Sequence, residues 1–345
     1  MVFWYALSGI TLKYISSGIL IKFVLFCSAL FYLWIFLTKE NSINYLFPLG
    51  FLNGFIMGNY WSALNLNQYI FTHQQRRIKY FGLSLALMNL FQAIGPAIGG
   101  VIIFLGNRYL SFINFAGYSL LFLSVSLILF GLSLLVGKLP RHDKIDFSYK
   151  QIVKSKRKKD WKLILLQQAV LGSYDTSLMI VVIILSFVIV KHEIILGYTQ
   201  TLAFILGSIG GLMGAKYLQV NNNLYWIGSI GIFVGILIFA LFQNLFGLLL
   251  FILITGLTAP FLDTWVSTIY FQALDKNIVN WQKQYYLMIE RDLILGLTRV
   301  VSLLLLFLLI NTGNQIKLAR IWLYILLFLP LILGLLIREY EKLKT

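Results

Sequence analysis

Ten apolar stretches, each long enough to cross a bilayer, follow one another along most of this chain. An α-helix rises about 1.5 Å per residue, so a hydrocarbon core of about 30 Å needs about 20 apolar residues. The predicted spans are residues 19–38, 44–68, 80–105, 111–137, 163–190, 196–216, 224–243, 245–271, 291–311 and 318–337. Strand-like alternation is missing, which favours helices over a β-barrel. The sequence therefore predicts an all-α integral membrane protein, a polytopic helical bundle.

A shorter apolar stretch, residues 1–12, precedes these spans. It lacks the leading positive charge and the small-residue cleavage site of a signal peptide. We interpret it as the interior of a partial helix, and we expect one further helix to precede it.

The net charge of +16 would suit a nucleic-acid-binding protein, but its distribution indicates membrane topology instead. When alternate loops are assigned to opposite sides, 22 Lys and Arg residues fall on one side and five on the other. Such a bias marks the basic side as cytoplasmic. We therefore expect a multi-pass protein of the cell membrane, with its central loop and C-terminus in the cytoplasm and no nucleic-acid partner.

The most basic loop, residues 138–162, divides the sequence into an N-terminal segment of residues 1–137 and a C-terminal segment of residues 163–345. Short matches recur between the two segments at an offset of just over 200 residues, which is typical of a duplicated unit, although chance also produces such coincidences. The matched positions are Lys13–Tyr14 with Lys216–Tyr217, Asn53–Gly54 with Thr255–Gly256, and Trp61 with Trp265. With the expected additional helix, the sequence predicts two pseudo-symmetric six-helix halves.

Two motifs carry a resemblance to a known family. The segment 89–100 contains Gly95, Pro96, Gly99 and Gly100, which match the G-P-x-x-G-G core of the fifth-helix signature of major facilitator superfamily permeases. The segment 9–22 lies where that family has G-x-L-x-D-R-x-G-R-[KR]. It keeps the glycines and single lysines but lacks the Asp and the paired Arg, which puts the usual cytoplasmic charge relay in doubt.

The chain thus resembles a drug/proton antiporter-like permease of that superfamily. The resemblance implies a monomer that moves a small organic solute by alternating access, coupled to protons, without a cofactor. The fifth-helix motif is associated with antiporters and so favours export over import. In the resembled fold, helices one, four, seven and ten line a central cavity.

Polar residues on the fourth helix of that scheme share one face. Asn53, Tyr60 and Asn67 fall within about 40° of one another, and Trp61 and Asn65 extend the arc. We interpret this face as a wall of the substrate cavity. Hydrogen bonding between helices is the alternative.

The seventh helix carries Gln168 and Asp175 on one face and Tyr174 beside them. We predict that these three side chains, together with Asp263 of the tenth helix, line the substrate cavity. Asp175 lies near the middle of its span, where a carboxylate costs about 2.5–3.5 kcal/mol. It is either a neutral group that shares a proton with Tyr174 or a backbone carbonyl, or a member of a proton- or cation-coupling site.

Asp263 and Arg299 lie at matched depths in the tenth and eleventh helices. We therefore expect an ion pair between them, with Asp292 as a competing partner for Arg299. The pair is either a gate that breaks during transport or a permanent structural contact.

Small residues and single lysines mark two further predicted features. Gly95, Gly99 and Gly100, with Pro96, are predicted to let the fifth helix pack closely, as are four glycines of the eighth helix at 207, 210, 211 and 214. Equivalent gate loops are predicted at Gly9 and Lys13 in one half and at Gly211 and Lys216 in the other.

No catalytic constellation is evident. The three histidines are far apart, at positions 73, 142 and 192, and no phosphate-binding G-x-x-x-x-G-K-[ST] motif occurs. A membrane-embedded transferase is the enzymatic alternative, but it would show clustered acidic residues or histidines at one membrane face. A non-transporting remnant or scaffold derived from a permease is the other alternative. We predict a transporter rather than an enzyme, with no metal site.

Overall fold

The computed structural model describes residues 2–110, 115–136, 145–154, 156–191, 193–277, 280, 282 and 285–343, and no strand occurs among them. Their α-helices are α1 (Val2–Tyr14), α2 (Ser17–Thr38), α3 (Leu46–Phe71), α4 (Arg77–Tyr109), α5 (Ala116–Leu135), α6 (Tyr149–Lys154), α7 (Lys159–Val190), α8 (Glu193–Tyr217), α9 (Tyr225–Leu241), α10 (Leu245–Asn277), α11 (Tyr286–Ile310), α12 (Gln315–Leu326) and α13 (Leu329–Lys342). Short 3₁₀ turns, Lys39–Tyr45, Gln74–Arg76 and Asn222–Leu224, link some of them.

The described residues contain nine helical stretches that are long and apolar enough to cross a membrane. One of them, Ser17–Phe71, is 55 residues long and joins α2 to α3 through a 3₁₀ turn, so it accounts for two of the predicted spans. The last predicted span is divided into α12 and α13, and Pro330 lies in the first turn of α13. Proline suits a helix start because its missing N–H would have no helical partner there. The predicted all-α membrane fold class is confirmed.

The chain forms two compact units, and the predicted division into two six-helix halves stays a prediction. One unit comprises residues 1–71, 97–155 and 278–293, and the other comprises 72–96, 156–277 and 294–345. Helices α4 and α11 each contribute to both units because their ends pack with different neighbours. The predicted loop 138–162 contains α6 and the first residues of α7, while its residues 138–144 and 155 lie outside the described residues.

The first unit is built on α2, which packs against both α3 and α5, while α1 packs against α3. Leu12, Leu20 and Leu66 are fully buried at these contacts. Trp4 of α1 meets Phe55 of α3 edge-to-face, with ring centroids 5.0 Å apart. Apolar burial therefore fixes α1 on α3.

In the second unit, α10 packs against α8 and α9, and α13 packs against α7 and α9. Two of the α8 glycines, Gly210 and Gly211, allow the close backbone approach that the sequence predicts. A Cβ atom at Gly210 would lie 2.6 Å from the Leu257 carbonyl oxygen, and one at Gly211 would lie 2.9 Å from the Ala86 nitrogen. These glycines are needed because neighbouring backbones occupy the space of a side chain.

Candidate functional site

Helices α7 and α11 cross at a small residue. A Cβ atom at Gly172 would overlap the Thr298 hydroxyl and the Leu295 carbonyl. Just beyond this crossing, Ser302 Oγ donates a hydrogen bond of 2.6 Å to the Ser173 carbonyl. The close approach brings one side chain of each helix, next to the crossing, within hydrogen-bonding distance of the other.

Those side chains are Asp175 and Arg299, which form an ion pair near the middle of both helices. Arg299 Nε lies 3.1 Å from Asp175 Oδ2 and 3.2 Å from Oδ1, and Arg299 Nη2 also bonds Oδ2. The carboxylate side chain is 24% exposed and the guanidinium side chain 32% exposed. Two-pronged contact of this kind orients both groups and stabilises charge that would otherwise be costly within a membrane.

The predicted Asp263–Arg299 ion pair is wrong. Arg299 bonds Asp175 instead, because α11 crosses α7 directly at Gly172, whereas matched depth along two helices says nothing about which helices are neighbours. The Asp292 carboxylate accepts a hydrogen bond of 2.7 Å from Arg291 Nη1, and its predicted competition for Arg299 stays a prediction.

Asp263 supplies a second carboxylate beside this pair. Its side chain is exposed, although its neighbours in α10, Leu262 and Thr264, are buried. It interacts electrostatically with Asp175 and with the buried Tyr174. Within the described chain, no group forms a hydrogen bond or an ion pair with the Asp263 carboxylate. The group of two carboxylates and one guanidinium therefore has a formal charge of −1.

Gln168, predicted to line the cavity, is fully buried, two turns before Asp175 in α7. Neither the oxygen nor the nitrogen of its amide has a hydrogen-bond partner among the described residues. It is therefore inaccessible in this conformation, as is the largely buried Tyr174. Periodicity places Gln168 and Asp175 on one helix face but does not reveal that only Asp175 is accessible.

The polar face of α3 belongs to the first unit. Asn53 and Trp61 are exposed, and Tyr60 is half-buried with its ring centroid 5.7 Å from that of Trp61. This accessibility is compatible with a solute-contacting surface, which stays a prediction.

Two amides of the same helix take part in contacts between helices. Asn65 Nδ2 donates a hydrogen bond of 3.2 Å to the Tyr5 hydroxyl, which donates one of 2.6 Å to Asp292. Asn67 Oδ1 accepts a hydrogen bond of 2.6 Å from the Ser17 hydroxyl. The alternative interpretation of α3, helix-to-helix hydrogen bonding, thus describes Asn65 and Asn67.

The predicted gate residues occupy contrasting environments. Gly9 packs against Phe147, whose Cε1 atom would lie 2.6 Å from an added Cβ, whereas Lys13 is exposed. Gly211 faces α4, and the Lys216 ammonium lies 5.5 Å from the centroid of the adjacent Tyr217 ring. The two glycines are close-packing positions, while a gating role for either lysine stays a prediction.

Close packing at the fifth-helix motif is not observed. A Cβ atom added at Gly95 or Gly100 would meet no atom of the described residues within 4 Å, and one at Gly99 would make an ordinary contact of 3.6 Å with Leu121. The prediction of helix packing at this motif is therefore wrong, because this stretch of α4 is largely exposed. The boundary between the two compact units falls directly after Pro96. Helix α4 packs closely at Gly82 instead, where an added Cβ would overlap α8.

A buried ion pair between Arg77 and Asp275 is not evident from the sequence. Arg77, the first residue of α4, is almost fully buried, and both terminal nitrogens of its guanidinium bond Asp275, with Nη2 3.2 Å from Oδ1. The guanidinium carbon lies 5.4 Å from the centroid of the Phe271 ring. In the sequence Arg77 is one of several basic loop residues, and only the packing of α4 beside α10 distinguishes it.

These features define a class of protein. A long helical bundle with an internal, partly accessible ion pair and a further unpaired carboxylate is typical of membrane transport proteins, where such groups mark solute or ion pathways. Sequence similarity identifies the family: residues 3–279 match the Major Facilitator Superfamily, and the chain belongs to it. No curated protein matches the chain in sequence.

Solved structures show the same fold. FucP, a Major Facilitator Superfamily transporter crystallised in the outward conformation, aligns with a TM-score of 0.70 at 15% identity, over 99% of this chain and 86% of that one. A bacterial homologue of the iron transporter ferroportin, in an outward-facing state, aligns with a TM-score of 0.59 at 13% identity, over 98% and 87%. The same homologue with soaked iron aligns with a TM-score of 0.58 at 13% identity, over 98% and 87%. Family and fold together support a secondary transporter rather than an enzyme.

Proposed function

We propose that this protein is a proton-coupled secondary transporter of a small organic solute, and that Asp175, Asp263 and Arg299 form its coupling site. The observation that carries the proposal is the accessible, unpaired Asp263 carboxylate beside a satisfied ion pair. A charged carboxylate within a membrane span is costly, so binding of a proton or of a cationic group stabilises it.

The ion pair gives Asp263 its distinct role. Arg299 neutralises Asp175 through three contacts, so that carboxylate is already satisfied. Asp263 has no such partner in the described chain and remains available to a proton. A proton that leaves Asp263 restores the formal charge of −1, and reloading from the other side completes a coupled cycle under alternating access.

The same proposal includes the direction of transport and the side chains that contact the solute. The G-P-x-x-G-G motif at 95–100 supports export in exchange for protons. The accessible side chains of Asn53, Tyr60 and Trp61 supply polar and aromatic groups for a polar or amphipathic solute.

Transport by purified protein in vesicles tests this proposal. Proteoliposomes that contain the pH-sensitive dye pyranine would be given one cationic, one neutral and one anionic probe: ethidium, chloramphenicol and benzoate. We expect at least one probe to move together with a change in dye fluorescence, and both signals to be lost in Asp263→Asn. Asp146→Asn is the matched control, because it removes an exposed carboxylate outside the predicted spans.

Three outcomes would contradict the proposal. Solute flux without proton movement would indicate an uncoupled carrier. Proton-linked flux that is unchanged in Asp263→Asn would exclude Asp263 from coupling. No flux of these probes or of a wider solute library through folded protein would favour the non-transporting alternative.

A further inference from the structure

The first unit contains a small basic cavity that the transport proposal does not use. Its volume is roughly 360 Å³, and it lies between the last turn of α1 and the start of α6. Two lysines, Lys13 and Lys150, line it together with the aromatic side chains of Tyr14 and Tyr149 and the side chain of Ser148.

Contacts on both sides fix the shape of the cavity. The Tyr149 hydroxyl donates a hydrogen bond of 2.6 Å to the Ala6 carbonyl, which ties α6 to α1. Phe147 is buried against Gly9, where an added Cβ atom would overlap its ring. The Phe147 and Tyr149 ring centroids lie 4.7 Å apart, edge-to-face. The wall is therefore formed before any ligand arrives.

The electrostatics of the cavity favour an anion. Lys13 and Lys150 are both exposed, and no described residue forms an ion pair with either of them. Among the described residues, no carboxylate lines the cavity, and Asp146, which directly precedes Phe147 in the chain, is not one of the lining residues. Two ammonium groups around one small cavity give a local charge of +2, which a phosphate group would balance.

The surroundings favour a lipid over a free ion. Ile10 and Phe147 add apolar surface to the cavity beside the lysines. Lys and Tyr side chains together are typical of the membrane interface, where the ammonium groups meet headgroups and the aromatic bodies meet the acyl boundary.

We propose that this cavity binds the phosphate group of an anionic phospholipid, with Lys13 and Lys150 as its two charged contacts. The hydroxyls of Tyr14 and Ser148 are the available hydrogen-bond donors, since the Tyr149 hydroxyl already donates to Ala6, and Ile10 contacts the first methylene groups of the lipid. A lipid bound there would connect the central loop to α1. This site is independent of proton coupling, so either proposal can fail alone.

Native mass spectrometry of the purified full chain tests the site. The probes are phosphatidylglycerol, phosphatidylcholine with the same acyl chains, and water-soluble glycerol 3-phosphate. We expect tight binding of phosphatidylglycerol alone, and a loss of affinity of about fivefold for each lysine removed in Lys13→Gln/Lys150→Gln. Lys13→Arg/Lys150→Arg should retain the affinity.

The matched control is Lys22→Gln/Lys79→Gln, which makes the same change in net charge at two exposed lysines that do not line the cavity. An equal loss of affinity in the control would overturn the proposal, because it would show general attraction to a basic surface. Equal binding of phosphatidylcholine would exclude recognition of charge. Equal affinity for glycerol 3-phosphate would contradict the proposal that the ligand is a lipid. Unchanged melting temperatures of the variants would exclude unfolding as a cause.

Discussion

Neutralising one partner of the Asp175–Arg299 pair should destabilise the protein more than neutralising both. In Asp175→Asn, the Arg299 guanidinium keeps its charge near the middle of a span and loses all three of its contacts with the carboxylate. Arg299→Gln leaves the carboxylate of Asp175 in the same position. The double variant Asp175→Asn/Arg299→Gln contains neither unpaired charge.

The magnitude follows from how far the pair is buried. Breaking a fully buried pair costs about 3–5 kcal/mol, and an exposed pair contributes about 0–1 kcal/mol. The side chains here are 24% and 32% exposed, so the expected cost lies between these limits. We expect each single variant to lose about 2 kcal/mol, a factor of roughly thirty in the unfolding equilibrium, and the double variant to regain at least half of that.

A double-mutant cycle in reversible unfolding by detergent measures this coupling. The chain offers an internal control in Lys342–Glu339, whose Nζ and Oε1 atoms lie 2.6 Å apart while both side chains are 55% exposed. Its cycle should give a coupling energy well below that of the Asp175–Arg299 pair, because both of its side chains are exposed to solvent. Additive losses in the Asp175–Arg299 cycle, within about 0.5 kcal/mol, would refute the reasoning.

Two further predictions concern packing and the second ion pair. Gly172→Ala should lose about 1–3 kcal/mol of stability, because its Cβ would overlap α11. Gly95→Ala should be neutral or slightly stabilising, because no described atom lies near its added Cβ. Similar unfolding midpoints of the two variants would contradict this prediction. Arg77→Gln should destabilise the protein more than Arg77→Lys, since lysine keeps a positive charge beside Asp275 although it lacks the bidentate contact. Equal stability of the two variants in the same unfolding assay would contradict this prediction.

Hydropathy is sufficient to predict the helices, because a membrane-spanning helix must be long and apolar and both properties can be read from consecutive residues. Which helices touch is decided by non-consecutive residues. Gly172 allows α11 to approach α7 closely, and at this crossing Arg299 binds Asp175 rather than Asp263. Depth along a helix contains no such lateral information.

Motifs are informative about family more than about local contacts. The segment around Gly95 and Gly100 supports the correct superfamily, yet these glycines pack against nothing in the described structure. The burial of Arg77 cannot be predicted from the neighbouring basic residues, because it depends on contact with α10, nearly 200 residues later in the chain. Sequence spacing reports which residues share a helix face, whereas burial of that face is a property of the assembled helices.

The most direct test of the central claim is the steady-state accumulation of a transported solute against an imposed pH gradient, with the voltage held at zero by potassium and valinomycin. Exchange of one proton per solute predicts an accumulation ratio of about tenfold per pH unit, since one unit corresponds to about 1.36 kcal/mol. Wild-type protein should approach that ratio, while Asp263→Asn should only equalise the two solute concentrations. Equalisation by the wild-type protein, or full accumulation by the variant, would contradict proton coupling at Asp263.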